Sequence, residues 1–304
     1  MLGAEPGAVD SGEWMSVSIP NRGTLYVVAT PIGNLGDLST RAKTTLAEVS
    51  LIAAEDTRHS AHLLRSLGLE TRLTSLHEHN EQSRVSSILG VLSAGESVAL
   101  VSDAGTPLVA DPGFSLVSAA QAGGFRVVPI PGPCAVIAAL SVAGLATDRF
   151  CFEGFLPPKR AARRARLESL KDESRTLVFY EAPHRVRESL EDLAQIFGDR
   201  LATLGRELTK IHETIYHGKL ADLSLKASND VDIERGEMVF VISGAPPKDP
   251  DADPALERLL VALLKQLPVS RATDVAVEVT GARRNVVYKA ALALQPAEPD
   301  EAQS

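Results

Sequence analysis

The chain has 304 residues, 44% of them hydrophobic and 23% charged, a globular composition that excludes a disordered or fibrous protein. At about 100–200 residues per domain, this length suggests about two domains. The formal charge of −8, if spread evenly, argues against a nucleic-acid partner. No apolar run approaches the ~20 residues that span a bilayer, so no membrane is expected. The first twenty residues carry Glu5, Asp10 and Glu13 and no Lys or Arg, unlike a secretory signal. They are expected to form a disordered tail, with Met15 as an alternative start. Cys134 and Cys151 are the two cysteines. They exclude a disulfide framework or a Cys-rich zinc site and fit a reducing cytoplasm.

In chain order, Gly23–Thr30 (GTLYVVAT) reads as a buried strand ending in a Pro/Gly turn. A helix is predicted over Leu38–Glu48, capped by Ser39 or Asp37. A strand at Leu51–Ala54, a helix at Thr57–Leu67, a strand at Leu73–Leu76 and a helix at Asn80–Ala94 follow. Ser97–Val101 is a strand running into DAGTP. Phe114–Ala122 is a helix, Arg126–Ile130 a strand, and Ala135–Ala143 an apolar helix after PGP. This alternation predicts an α/β domain with a largely parallel sheet. After a connection at Ala143–Arg149, a second α/β stretch begins. Its strands are predicted at Phe150–Phe155, Thr176–Tyr180, Leu201–Glu207, His212–His217 and Met238–Ser243. Its helices are predicted at Lys159–Lys171 and Pro183–Ile196. More strand per helix implies a mixed sheet. Helical patterns at Ala255–Leu267, Ser270–Thr280 and Ala282–Leu294 follow a Pro/Asp-rich linker, with Gly281 at a turn. The expected domains are a tail at 1–20, α/β domains at 21–145 and 146–244, a linker at 245–254, a helical domain at 255–295 and a tail at 296–304.

Three turns each leave a strand: Thr30–Leu38 (TPIGNLGDL), Val101–Pro107 (VSDAGTP) and Pro131–Ala135 (PGPCA). Each is either a plain strand–helix turn or part of a ligand crevice, because parallel sheets bind ligands at such turns. Three converging turns favour the crevice. None matches GxGxxG or GxxxxGK[ST], so ordinary dinucleotide or triphosphate binding is unsupported. Ala54–Arg58 (AEDTR) is either a carboxylate pair with chemistry or an N-cap at Asp56 beside a surface Arg58. Phe179–Arg185 (FYEAPHR), Gly205–Lys210 (GRELTK) and His212-Glu213 concentrate ionisable groups at strand ends. His77 and His79 flank Glu78, but no third ligand stands at a usual spacing, so no metal is expected. Lys159–Arg166 holds five cations in eight residues with no acid before Glu168. Charge runs are usually solvated helix faces, but a one-signed face favours phosphate contact.

These segments, in this order, carry a resemblance: TPIGNLGDLSTRA, AAEDTRHS, HEHN, VSDAGTPLVADPG, PGPCAVIAALSVAGL, FCFEGFLP, FYEAPHR and GRELTKIHET. Over roughly Gly23–Gly244 the chain resembles the RNA-modifying branch of the tetrapyrrole-methylase-like family of S-adenosylmethionine enzymes. The resemblance implies an α/β fold of two tetrapyrrole-methylase-type domains, with S-adenosylmethionine in the cleft between them. The small C-terminal helical segment is helix-turn-helix-like. The resemblance also implies a homodimer and 2′-O-methylation of a cytidine ribose in the decoding region of 16S ribosomal RNA, in the small ribosomal subunit. Tetrapyrrole-acting relatives usually carry GxGxGD in the first loop, where this chain has PIGNLGD. The resemblance assigns cofactor binding to Pro31, Ile32, Gly33, Asn34, Asp103, Ala104, Gly105, Thr106, Cys134, Ala135, Glu181 and Ala182.

An in-line methyl transfer to a ribose hydroxyl needs alignment and some help in removing a proton. Glu181, Glu207, Glu213 and Asp56 are the candidates for that help, and the sequence does not choose among them. RNA is expected at Lys159, Arg160, Arg163, Arg164 and Arg166, with Arg58 nearer the cleft. Arg283, Arg284 and Lys289 on the last helix add either a further RNA contact or only a capping bundle. The alternatives are a small-molecule methyltransferase on the same fold and a non-catalytic nucleic-acid-binding regulator. The charge is unevenly spread. Residues 1–20, 245–257 and 296–304 each carry −3, which leaves +1 for everything else. Arg149–Arg187 carries +5 and residues 265–289 carry +3, so the acidity lies away from the expected RNA-facing segments.

Overall fold

The computed structural model describes residues 22–77, 80–246 and 254–294. The expected tails, Glu78, His79 and most of the linker lie outside the described residues. Two five-stranded sheets form one compact unit, and the last three helices with Asp172–Ser174 form another.

The first sheet contains β1 (Thr24–Val28), β2 (Leu51–Ala54), β3 (Leu73–Ser75), β4 (Val98–Val101) and β5 (Arg126–Ile130). Its order is β3-β2-β4-β1-β5, and every pairing is parallel. Strands β2 and β4 are buried at every residue, the continuous apolar run expected of a parallel sheet covered on both faces. Side chains alternate between the faces with period two. Leu51, Ala53, Val98 and Leu100 join the core under α3 (Glu81–Ser93) and α4 (Phe114–Ala122). Ile52, Ala54, Ala99 and Val101 join the opposite core under α1 (Thr40–Glu48) and α2 (Thr57–Ser66). Ser39 is the cap of α1, its hydroxyl accepting the Ala42 N–H at 3.1 Å. The helices after the neighbouring strands β1 and β4 lie on opposite faces, which opens a crevice at those carboxyl ends.

The second sheet contains β6 (Phe150–Phe155), β7 (Thr176–Glu181), β8 (Leu201–Arg206), β9 (Thr214–Lys219) and β10 (Met238–Ile242). Its order is β6-β7-β10-β8-β9. Only β6–β7 is parallel, so the sheet is mixed as expected. Leu177, Phe179, Phe240 and Ile242 face a core shared with α6 (Arg160–Ser169), α7 (Val186–Phe197) and α8 (Leu220–Asn229). Val178, Val239 and Val241 face the other way and pack on α5 (Ala135–Val142), which follows the last strand of the first sheet. Helix α5 is apolar nearly all round; Val136, Ala139 and Leu140 are buried, while Ile137 and Val142 stay exposed.

Two expectations about this half change. Residues 220–229 form a helix that the sequence reading left unassigned. The strand predicted at His212–His217 begins two residues later, because His212 sits in the turn whose carbonyl accepts from Arg206. The other compact unit holds α9 (Pro254–Leu264), α10 (Val269–Thr280) and α11 (Arg284–Ala293) around Leu256, Leu260, Ala276, Val287 and Ala291. Gly281 ends α10 at φ 68°, a left-handed cap that glycine adopts without steric cost. Among the described residues, no helix is long and apolar enough to cross a membrane.

The basic run on α6 differs most from its reading. Arg163 is not an RNA-facing residue. It is fully buried, its Nε donating to Asp192 at 2.8 Å and its Nη2 to Glu188 at 3.0 Å. Arg160 and Arg164 also reach Asp192, and Arg166 pairs with Glu153. The face looked one-signed because its acids come from α7 and β6 rather than from its own helix. Removing Asp192 strands a buried guanidinium, so Asp192→Ala is expected to cost about 3–5 kcal/mol. Arg166→Ala breaks a partly exposed pair and is expected to cost roughly 0–1 kcal/mol. Urea unfolding of both variants checks this contrast.

Candidate active site

The three turns meet. Thr30 N–H donates to the Gly105 carbonyl at 2.8 Å, and Gly105 N–H donates back at 3.1 Å. The Thr30 hydroxyl reaches the Ser102 carbonyl at 3.2 Å. The Thr106 hydroxyl donates to the Pro133 carbonyl at 3.1 Å, which ties the second turn to the third. The loop after β4 is tightly wound. Leu108 and Ala110 have φ of 71° and 67°, and Gly105 and Gly113 are also positive. Left-handed backbone at a leucine costs of order 1–3 kcal/mol and persists where the surroundings enforce it.

Two adjoining cavities open on these turns. The inner one, about 250 Å³, has on its first-sheet side Ile32, Glu55, Asp103, Ala104, Gly105, Thr106, Val109, Ala110, Asp111 and Ala135. Its second-sheet side is Phe155, Tyr180, Glu181, Glu237, Met238 and Val239. The outer one, about 340 Å³, is lined by Pro31, Gly33, Leu35, His59, His62, Leu63, Ser66 and Lys210. It shares Ile32, Asp103, Ala104 and Glu237 with the inner cavity.

Seven of the residues assigned to the cofactor thus line the inner cavity: Ile32, Asp103, Ala104, Gly105, Thr106, Ala135 and Glu181. Pro31 and Gly33 line only the outer one. Asn34 is used by its own turn, where its Oδ1 accepts the Gly36 N–H at 2.9 Å. Cys134 and Ala182 line neither cavity, although Cys134 lies close enough to Tyr180 to influence its phenol. Lys210 closes the two halves together. A Cβ on Gly33 would stand 2.2 Å from its Cγ, so only glycine admits the lysine there.

The inner cavity is acidic. Asp103 Oδ1 accepts the Asp56 N–H at 3.0 Å. Burial pushes the Asp111 carboxyl up to about 6; the Ser102 hydroxyl opposes this, while Glu55 and Asp103 add to it. Burial likewise raises the Tyr180 phenol, with Cys134 and Asp111 adding to it. The Tyr180 ring meets Phe152 and Phe155 edge-on at 4.9 and 5.4 Å.

The four carboxylates considered for proton transfer sit in different surroundings. The Glu181 side chain is fully buried and accepts from Arg185 at 2.6 Å, from the Ala182 N–H at 2.7 Å and from the Ser189 hydroxyl. Burial opposes ionisation of Glu207, but Lys210 and the Glu237 N–H hold its carboxyl below the usual range. Glu213 is exposed, outside both cavities, and accepts the Thr209 N–H at 2.6 Å. Asp56 caps α2, and the Arg58 guanidinium holds it far below the usual range, as the cap reading anticipated. None of the four is a free carboxylate in a cavity. Asp111 is the residue the sequence reading missed. It lies within VSDAGTPLVADPG, but its shifted acidity arises only when folding buries it, with Glu55 and Asp103 adding to the effect.

Comparison with known proteins adds to this geometry. Residues 24–224 match the family described as Tetrapyrrole (Corrin/Porphyrin) Methylases, and residues 250–295 match the RsmI C-terminal HTH domain. The chain is 53% identical to the ribosomal RNA small subunit methyltransferase I of Pseudomonas aeruginosa, over 90% of this chain and 98% of that protein. It is 47% identical to the protein of the same name from Escherichia coli O157:H7, over 90% and 96%. Among solved structures, the methyltransferase CobJ matches with TM-score 0.55 and 23% identity, over 73% of this chain and 95% of that one. A uroporphyrin-III-C-methyltransferase from Thermus thermophilus matches with TM-score 0.51 and 20% identity, over 73% and 94%. These two share the fold.

Asp111 yields a signed stability prediction. Its folded pKa of about 6 exceeds the ordinary 3.8, so the folded protein keeps a proton that the unfolded chain has released. Its contribution is present at low pH and is lost as pH rises through 6. Asp111→Asn keeps the shape without the titration. The Tm of this variant relative to the parent is expected to climb between about pH 4 and pH 7 and to stay level above that. Parallel Tm profiles would contradict the shifted acidity.

Proposed function

The chain belongs to the tetrapyrrole (corrin/porphyrin) methylase family, and on that premise we propose that it methylates the 2′-hydroxyl of a cytidine ribose in the decoding region of small-subunit ribosomal RNA. The observation that carries this is the extent of the identity. The relatives named for ribosomal RNA cover 90% of this chain, whereas the tetrapyrrole-type structures leave about a quarter of it uncovered. The segment at 250–295 matches the RsmI C-terminal HTH domain as well.

Family members use S-adenosylmethionine, which when bound supplies an electrophilic methyl group on a sulfonium cation. The inner cavity suits it. Ala104, Gly105 and Ala110 leave room for close approach, and Ile32, Val109, Met238 and Val239 supply apolar wall. Glu55, Asp103 and Asp111 offset positive charge, so a cation is favoured there over an anion of similar size. Phe155 and Tyr180 help keep the reacting atoms from water. The chain's main contribution is alignment in a preorganised acidic cleft.

RNA would approach over Lys159, Arg160, Arg164 and Arg166 on and beside α6, and over Arg58 on α2. Arg160 keeps 56% of its side chain exposed and Arg58 keeps 91%, so both can meet phosphates without unfolding their ion pairs. A homodimer belongs to the same reading, supported by Ile137 and Val142, large apolar side chains that stay exposed on α5. A ribosomal substrate puts the enzyme's work in the cytoplasm.

The test offers labelled S-adenosylmethionine with either unmethylated small ribosomal subunits or a uroporphyrinogen. Label is expected in RNA, recovered as 2′-O-methylcytidine after digestion. Label in the porphyrinogen alone would overturn the reading. A second measurement follows subunit binding against salt. Gln at Lys159, Arg160 and Arg164 is expected to weaken binding and flatten its salt dependence, with cofactor affinity unchanged. An unchanged slope would remove α6 from the RNA surface.

A further inference from the structure

The outer cavity has chemistry of its own. It is bounded by α2, where His59, His62, Leu63 and Ser66 recur at the three- and four-residue spacing that puts them on one helix face. Lys210 of the second sheet supplies an ammonium on the opposite side. Its stem crosses Gly33, and its Nζ is held 2.8 Å from Glu207 and 3.3 Å from Glu237. His59 and His62 are exposed, so neither is explained as a satisfied core histidine. Pro31, Leu35 and Leu63 give the cavity an apolar side.

We propose that the outer cavity receives the single target nucleotide, and that His59 and His62 hold its ribose–phosphate. The inference rests on the reading of the chain as an RNA 2′-O-methyltransferase and names the residues that seat the acceptor. Position supports it: whatever fills this cavity touches the inner one across Ile32, Asp103, Ala104 and Glu237, which is where an acceptor must meet a donor. Donor chemistry supports it as well. Asp103 and Glu237 stand on the wall shared with the inner cavity, and away from that wall His59 and His62 present imidazole donors that suit a phosphodiester. Imidazoles donate hydrogen bonds to phosphate and stack on bases, the two contacts by which single-stranded RNA is recognised. At about 340 Å³ the space suits one extruded nucleotide and is far too small for a duplex.

The experiment uses the full-length enzyme with unmethylated small ribosomal subunits and labelled S-adenosylmethionine. Single and double variants of His59→Ala and His62→Ala are compared with the parent. Cofactor affinity and Tm are measured on the same preparations. The double variant is expected to lose at least about tenfold in kcat/KM for subunits, the size of one lost charge-assisted hydrogen bond. Cofactor Kd and Tm are expected to stay at the parent values, because both side chains sit on an exposed helix face outside the inner cavity. His59→Gln with His62→Gln, which keeps donors at both places, is expected to recover part of the loss. A double alanine variant with parental kcat/KM overturns the assignment while the methyltransferase reading stands. A loss that follows cofactor Kd or Tm also overturns it. A parent enzyme that methylates no subunit RNA takes down both.

Discussion

The packing of α5 against the second sheet sets the geometry on which the site depends. The helix leaves the first sheet directly after the turn at 131–134, and Val136, Ala139, Leu140 and Ala143 bury against Val178, Val239 and Val241. Burying a valine or leucine side chain contributes about 1.5–3 kcal/mol, so this contact alone holds the halves together with several kcal/mol. The N-terminus of α5 is anchored to the first sheet through the Thr106–Pro133 hydrogen bond. Its body is anchored to the second. The distance between the cavity walls is therefore fixed by packed core rather than by a loop, as a site requiring in-line alignment needs.

Backbone strain gathers around the same cleft. Among the described residues, the non-glycine positions with positive φ are Leu108, Ala110, Glu207 and Thr209. The first pair lies in the loop after β4, and the second pair flanks the turn that presents Lys210. Each costs of order 1–3 kcal/mol unless the surroundings enforce it. The Thr30–Gly105 bridge enforces the first loop, and the Glu207 bonds to Lys210 and to the Glu237 N–H enforce the second. Stability drawn from two well-packed sheets is spent on holding two irregular loops face to face.

The strands of the first sheet were legible because a parallel sheet covered on both faces needs unbroken apolar runs, and LIAA and VALV are such runs. The turns were legible because Gly and Pro follow those runs at their carboxyl ends. Their convergence also followed, since adjacent strands whose helices cross to opposite faces open a crevice. What could not be read were properties made by partners distant in sequence. Arg163 looks like one of five equivalent cations until α7 brings Glu188 and Asp192 against it. Asp111 looks like a turn residue until folding buries it, with Glu55 and Asp103 near enough to add to the effect. The helix at 220–229 was missed because it starts directly at the end of a strand, at Lys219, whose side chain does not cap the helix.

The formal charge of −8 shows how little a sum says about a surface. Charge is sorted first along the chain, with acids in the terminal and linking stretches and bases in 149–187 and 265–289. It is then sorted in space at a much finer scale. Within one cleft, Glu55 and Asp111 line the inner space, His59, His62 and Lys210 line the outer, and Asp103 and Glu237 stand on the wall that both share. The Lys210 ammonium is fixed by its pairs with Glu207 and Glu237, and the imidazoles are carried on α2, whose N-terminus is capped by Asp56. A pre-set field of this kind does not have to reorganise when charge moves from a cationic donor to a neutral product, which is how a protein lowers a barrier without touching the reacting bond.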